Sequence, residues 1–508
     1  MSTLNRRSFL QSSLSTAAAA PALAPQRAAT EKPNILWICT DQQRWDTIHS
    51  LGNNRIRTPN IDRLVREGVA FTNTYCQNPV CTPSRGSFLT GCYPSTIRCT
   101  RNGNDYFPEQ ETSKLISRVL NGSGYDCGMV GKFHLSSSYM RVEPRLDDGY
   151  RLFEWSHAPR WEEHWPIEQQ RYHYWLRERG GDFRRDYRSQ KLEDWPAKAP
   201  GRPGPGMETR LHEVTWCGET AMDYMSNALR QPWFISINMY APHPAFDPPR
   251  EFLKRVDVDS MISPAFRDEE MKTQLRFSKI DHQTKVPRHP NSYQDKHMVA
   301  AYYAQIELID YQVGRMLETL ESTGQSDNTI VIFTSDHGEM LGDHALNMKG
   351  CRFYEGAVHV PLIFRWPGRY RAGLRSSGLV ELTDITPTLL EAAGLPVPDY
   401  VQGRSLTGIL RGDADAGKHR DFVRSEYWDS LKEPNSTRAD MMRDERYKLV
   451  VYHGHQLGEL YDLEEDPQEF NNLWDSHDHR AAKNRLTSRF FDDFILKADI
   501  GSPRIGPM

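Results

Sequence analysis

The chain has 508 residues, 38% of them hydrophobic and 26% charged, with a formal net charge of −4 at pH 7. That length suits one large domain and a smaller one, at roughly 150 residues per domain, and no basic stripe exists to collect nucleic-acid phosphates. Beyond the N-terminus no apolar run approaches the roughly 20 residues that span a bilayer, so no stable membrane insertion is expected.

In chain order, residues 1–30 read as a leader. Arg6-Arg7 precedes a weakly apolar stretch of Ala, Ser and Leu, which ends in Ala20-Pro21-Ala22-Leu23-Ala24. Basic, apolar, then small is the order of a twin-arginine export signal, which predicts a periplasmic or secreted protein carried by the twin-arginine translocase. Residues 34–39 then predict a buried strand and 59–66, closed by Gly68, a short helix. Thr112 is placed to cap a helix running to about 120. Further strands are expected over 125–130, 233–240, 329–334 and 361–366, with a long amphipathic helix over 293–321 and a helix over 385–393. Strands alternating with helices imply an α/β fold, a mostly parallel, doubly wound sheet, over residues 31–414. Residues 141–215 interrupt it as an insertion with five tryptophans (155, 161, 165, 175 and 195), either a functional loop region or partly ordered. Residues 415–508 change character: strand candidates at 447–452 and 459–463 predict a smaller α+β subdomain with an antiparallel sheet.

Polar residues follow the apolar runs closely. Thr40-Asp41-Gln42 follows the first, Gly131-Lys132-Phe133-His134 the second, Pro242-His243-Pro244 the third and Ser335-Asp336-His337-Gly338-Glu339 the fourth. Parallel strands would deliver all of these to one edge of the sheet, where ligands bind in such folds. Asp41, Gln42 and Asp336 offer oxygens suited to calcium or magnesium; His337 is either a further ligand or a partner of the nucleophile.

Cys81-Thr82-Pro83-Ser84-Arg85 opens a predicted helix that Gly91 stops. A helix N-terminus favours an anion and activates a thiol. None of the eight cysteines (39, 76, 81, 92, 99, 127, 217 and 351) forms a C-x-x-C pair, which argues against a zinc ribbon.

Cys-x-Pro-x-Arg followed by a short helix and Thr90-Gly91 resembles the signature of the type I, formylglycine-dependent sulfatases of the alkaline phosphatase superfamily. Asp41-Gln42, Gly131-Lys132-Phe133-His134-Leu135, Pro242-His243-Pro244, Asp336-His337 and Lys349-Gly350 resemble further family segments in family order, and Glu459-Leu460-Tyr461-Asp462-Leu463 resembles its C-terminal subdomain. The resemblance implies that a formylglycine-generating enzyme oxidises Cys81 to 3-oxoalanine. It also implies that Asp41, Gln42, residue 81, Asp336 and His337 surround a divalent cation: Ca2+, with Mg2+ or Mn2+ as the alternatives. The hydrated aldehyde would attack sulfur, with His243 as acid to the leaving oxygen and His134 as base in the release of sulfate. Lys132 and Lys349 would neutralise the sulfate oxygens, and Arg85 would hold the diol.

Gln42 and His337 stand where many members have Asp and Asn. The same pairs occur in relatives that cleave phosphonate monoesters and phosphodiesters, so a hydrolase of that kind is the alternative. A non-catalytic sulfoglycan-binding protein is a second. Export and the Trp- and Arg-rich insertion point to a sulfated carbohydrate substrate, with Arg98, Arg101, Asn102 and Asn104 as residues that could line the same mouth. The tryptophans could equally serve only to pack the insertion.

Overall fold

All eight residues of β1 (Asn34–Asp41) are buried, which is why its sequence runs apolar without alternation. Ile35, Trp37 and Cys39 enter one hydrophobic cluster while Leu36 and Ile38 enter another, so the strand lies mid-sheet with a core on each face. This computed structural model describes residues 32–498 apart from 139–140, 159–165, 191, 193–194, 196–198, 228–230 and 433–435. The expected leader lies outside the described residues, among which no helix is long and apolar enough to cross a membrane.

The other strands of the main sheet are β2 (Val69–Tyr75), β3 (Asp126–Gly131), β4 (Leu152–Trp155), β5 (Trp233–Pro242), β6 (Thr329–Ser335), β7 (His359–Arg365), β8 (Leu374–Ser376) and β9 (Val380–Glu381). Their order is β4-β3-β5-β1-β6-β7-β2-β8, with β9 beside β2. Every pairing is parallel except the two made by β7. The mostly parallel, doubly wound sheet inferred from the alternation is thus present. β10 (Val423–Trp428), β11 (Arg438–Arg443), β12 (Tyr447–Tyr452) and β13 (Leu457–Asp462) form the small antiparallel sheet.

Helix α1 (Pro59–Glu67) and the helix Asp295–Ser322 match the periodic patterns read for them. The helix expected after Thr112 does not. The Thr112 hydroxyl donates to the Glu109 carbonyl at 2.7 Å inside a 3-10 turn, and the regular helix begins only at Ile116. A local side-chain bond of this kind competes with capping. Within the insertion, Trp155 is 2% exposed and donates to Glu143, and Trp175 packs on Tyr172. Trp195 sets its edge to the His297 ring. Residues 152–155 thus belong to the main sheet as β4 rather than interrupting it, and Trp155 and Trp175 are buried in its two core clusters; Trp161 and Trp165 lie outside the described residues.

Candidate active site

Four parallel neighbours, β3, β5, β1 and β6, end at one edge, and their ends carry the reactive side chains. Thr40 pairs with Ser335 in the β1–β6 ladder, which brings Asp41 and Asp336 together across nearly 300 residues of chain. Gln42 turns away from β1 with φ of 71°, rare for a residue with a side chain. Its N–H and that of His337 both donate to Asp336 Oδ1, at 3.0 and 2.9 Å. Those bonds hold the strained turn.

Cys81 is the first residue of helix α2 (Cys81–Thr90), and every residue of that helix is buried. Pro83 lies within the first turn, where its missing N–H removes no intrahelical bond. Gly91 ends the helix at φ 73° and donates to the Ser87 carbonyl; a Cβ there would lie 2.9 Å from Val401. The Thr82 N–H is taken by Asn102 Oδ1 at 3.0 Å, so one donor of the first turn is already occupied. Asn102 thus supports the N-terminus of α2, and Arg101 pairs with Asp429.

The Cys81 sulfur lies 2.9 Å from Lys349 Nζ, 3.2 Å from His337 Nε2 and 3.4 Å from Lys132 Nζ. Burial and the Asp41 carboxylate push this thiol up; Lys132, Lys349 and His337 outweigh them and bring it to about 7. Asp41 also accepts from Lys132. Burial alone would raise Asp41, yet Lys132 and Lys349 hold it well below the usual carboxylate range. Arg85 donates to Asp336 Oδ2 at 2.9 Å, to the Lys132 carbonyl at 2.7 Å and to Asn238 Oδ1 at 3.2 Å. Its guanidinium therefore braces the carboxylates and the Lys132 loop.

His243 and His134 flank this centre. His243 directs Nδ1 at the Pro244 carbonyl, 2.7 Å away, and Tyr240 donates its hydroxyl to the same oxygen. His134 sits at φ 55°, with His157 edge-on at 4.4 Å. Burial, reinforced by Lys349 at His243 and by Lys132 at His134, pushes both imidazoles well below their ordinary value. Both rest neutral near pH 7.

Asp41, Cys81, Asp336 and His337 each offer one ligand atom within 4.8 Å of the others, all buried. His337 Nδ1 is spent on the Gly338 carbonyl at 2.8 Å, which turns Nε2 toward the cluster. Two carboxylates with the neighbouring Gln42 amide oxygen make a hard donor set, so these residues fit a divalent cation. His337 touches Cys81 and faces both carboxylates, at 3.7 Å each. Sequence reasoning missed the supports: Glu339, Gln283, Asn238, Tyr240 and Glu143. Glu339 stood inside a quoted motif; the others carried no local signal.

A sulfatase family model matches residues 33–395, and one described as N-sulphoglucosamine sulphohydrolase, C-terminal, matches residues 342–493. The chain is similar to an arylsulfatase of Clostridium perfringens, 30% identical over 463 residues, covering 88% of this chain and 92% of the relative. It is 28% identical to an N-acetylglucosamine-6-O-sulfatase of Bacteroides thetaiotaomicron, covering 91% and 86%. Among solved structures, the phosphonate monoester hydrolase of Silicibacter pomeroyi superposes with a TM-score of 0.76 at 24% identity, covering 92% of this chain and 96% of that one. That identity speaks for the fold alone. With residues 33–395 matched and a buried cluster of lysines and carboxylates around Cys81 among them, the chain belongs to the sulfatase family of sulfuric ester hydrolases.

Proposed function

We propose that this chain removes sulfate from a sulfated carbohydrate, using formylglycine made from Cys81 and a calcium ion held by Asp41, Gln42, Asp336 and His337. One observation carries the reading: residue 81 is buried between two lysines and two aspartates at the start of a helix. When bound, the cation supplies Lewis acidity and lowers the pKa of a hydroxyl beside it.

The chain's own residues do the rest. Arg85, Lys132 and Lys349 set three cationic side chains around residue 81, where they favour an anionic ester. The lysines meet the negative charge that grows on the sulfuryl oxygens in the transition state. His243, fixed through Nδ1 by Pro244, is the acid for the leaving oxygen. Burial keeps it neutral at rest, and the incoming anion favours its protonated form. His134, neutral, is the base on the opposite step. A sulfated sugar is favoured by the similarity to a carbohydrate sulfatase. Export through the twin-arginine translocase, on the strength of Arg6-Arg7, would bring the enzyme to such polymers outside the cytoplasm. Maturation by a formylglycine-generating enzyme is proposed on Cys81-x-Pro83-x-Arg85.

The test is the intact mass of the peptide containing residue 81 after co-expression with that enzyme, with rates on an aryl sulfate, a sulfated hexosamine and an aryl phosphonate. An aldehyde mass, with sulfate release abolished in Cys81→Ala, is expected. A large preference for phosphonate would reassign the substrate. An unmodified thiol with activity unchanged in Cys81→Ala would sink the mechanism.

A further inference from the structure

The Gln42 amide sits between two groups of opposite hydrogen-bonding character. On one side Lys349 Nζ, which can only donate, lies 2.8 Å from Oε1. On the other, Nε2 donates to Glu339 Oε2. Glu339 is 1% exposed, and its other oxygen accepts from the backbone N–H groups of Leu341, at 2.9 Å, and Met348. The carboxylate is thus anchored on the backbone of the stretch that leads into Lys349. Gln283 clamps the same stretch, donating Nε2 to the Lys349 carbonyl at 2.9 Å and accepting from Asn347 N at 2.8 Å.

An amide has two ends of similar shape and opposite polarity, so something must choose which end faces the cation. We infer that Glu339 is the positioning residue that makes this choice, holding Nε2 away from the centre so that Gln42 presents only its oxygen there. The inference rests on the metal-site reading above and deepens it. A carboxylate at position 42 would not need such a partner, because both of its ends are oxygens. It would instead confront Glu339 with a like charge across a buried contact.

The experiment is a swap at equal length in the matured, chelator-stripped enzyme: Glu339→Gln, Gln42→Glu, and the two together. Calcium affinity is read by isothermal titration calorimetry, and folding by circular dichroism. In Glu339→Gln two amides face each other, only Lys349 still opposes a turned Gln42 amide, and calcium affinity should fall at least tenfold. Gln42→Glu alone should lower the melting temperature through the facing carboxylates. The double variant restores one donor and one acceptor with their roles exchanged, and should recover calcium affinity to within about threefold of wild type, a coupling that independent sites do not show. Wild-type calcium affinity in Glu339→Gln, or effects that simply multiply in the double variant, would overturn the inference. If Glu339→Gln fails to fold, recovery of folding and calcium binding in the double variant still supports the pairing, and its absence refutes it. A wild-type enzyme that binds no calcium would sink the metal reading itself, a result distinct from either.

Discussion

Glu143 is the buried support of the His134 loop, and replacing it should damage stability and catalysis together. Its Oε1 accepts from Leu135 N at 2.6 Å and Ser136 N at 2.9 Å; its Oε2 accepts from His134 N at 2.8 Å and Trp155 Nε1 at 3.1 Å. Burial lifts the carboxyl above its usual range, yet all four neighbours are donors and none offers a lone pair to a carboxyl proton. Glu143→Gln keeps the shape and loses one acceptor oxygen, so an NH2 group must face one or two backbone N–H groups. An orphaned buried donor costs about 1 to 3 kcal/mol, and the bonds that remain lose their charge assistance. The expected loss is therefore about 2 to 4 kcal/mol. Urea midpoints measure it globally, and hydrogen exchange of the peptide spanning 134–136 measures it locally. Because His134 holds φ 55° through these bonds, kcat should fall with the protection of that peptide. A variant within about 0.5 kcal/mol of wild type, with unchanged exchange at 134–136, would refute the reasoning.

Two further expectations concern pH and metal. His212 caps the helix Glu213–Ser226 by accepting the Val214 N–H at its Nδ1, and burial depresses its pKa to about 4. The unfolded chain therefore binds a proton near pH 6.5 that the native state refuses, so stability is lost as pH falls from about 6.5 toward about 4, by up to about 3 kcal/mol. His212→Asn keeps a capping oxygen and should flatten that slope in urea midpoints taken at pH 7.5 and pH 5; an unchanged slope would reject the assignment. Calcium at about 100 times its dissociation constant should stabilise the stripped enzyme by about 2.7 kcal/mol, read as a rise in melting temperature that EGTA reverses. Equal melting temperatures with calcium and with EGTA would reject the site.

How far the sequence reached depended on how local the governing physics is. The eight-residue burial of β1 and the turn chemistry at Gly91 are properties of short segments, and the sequence displays them directly. So is the habit of parallel strands to end on polar residues, which is why Asp41, Lys132, His243 and Asp336 were found at their positions. Strands β2 and β11 were not legible. β2 carries two half-buried residues in mid-strand, and β11 reads Arg-Ala-Asp-Met-Met-Arg, polar at both ends, though only Arg438 is exposed. The supporting shell needed the tertiary structure for a different reason. A buried donor must find an acceptor wherever the chain returns, and Glu339 meets Gln42 across 297 residues. Likewise the positive φ at Gln42 and His134 runs against their intrinsic preference, and bonds to residues such as Asp336 and Glu143 hold it there. Sequence alone placed the polar groups of the candidate site at one edge of a sheet. Tertiary contacts decided which way each one points, because direction is fixed by hydrogen bonds between residues far apart in the chain.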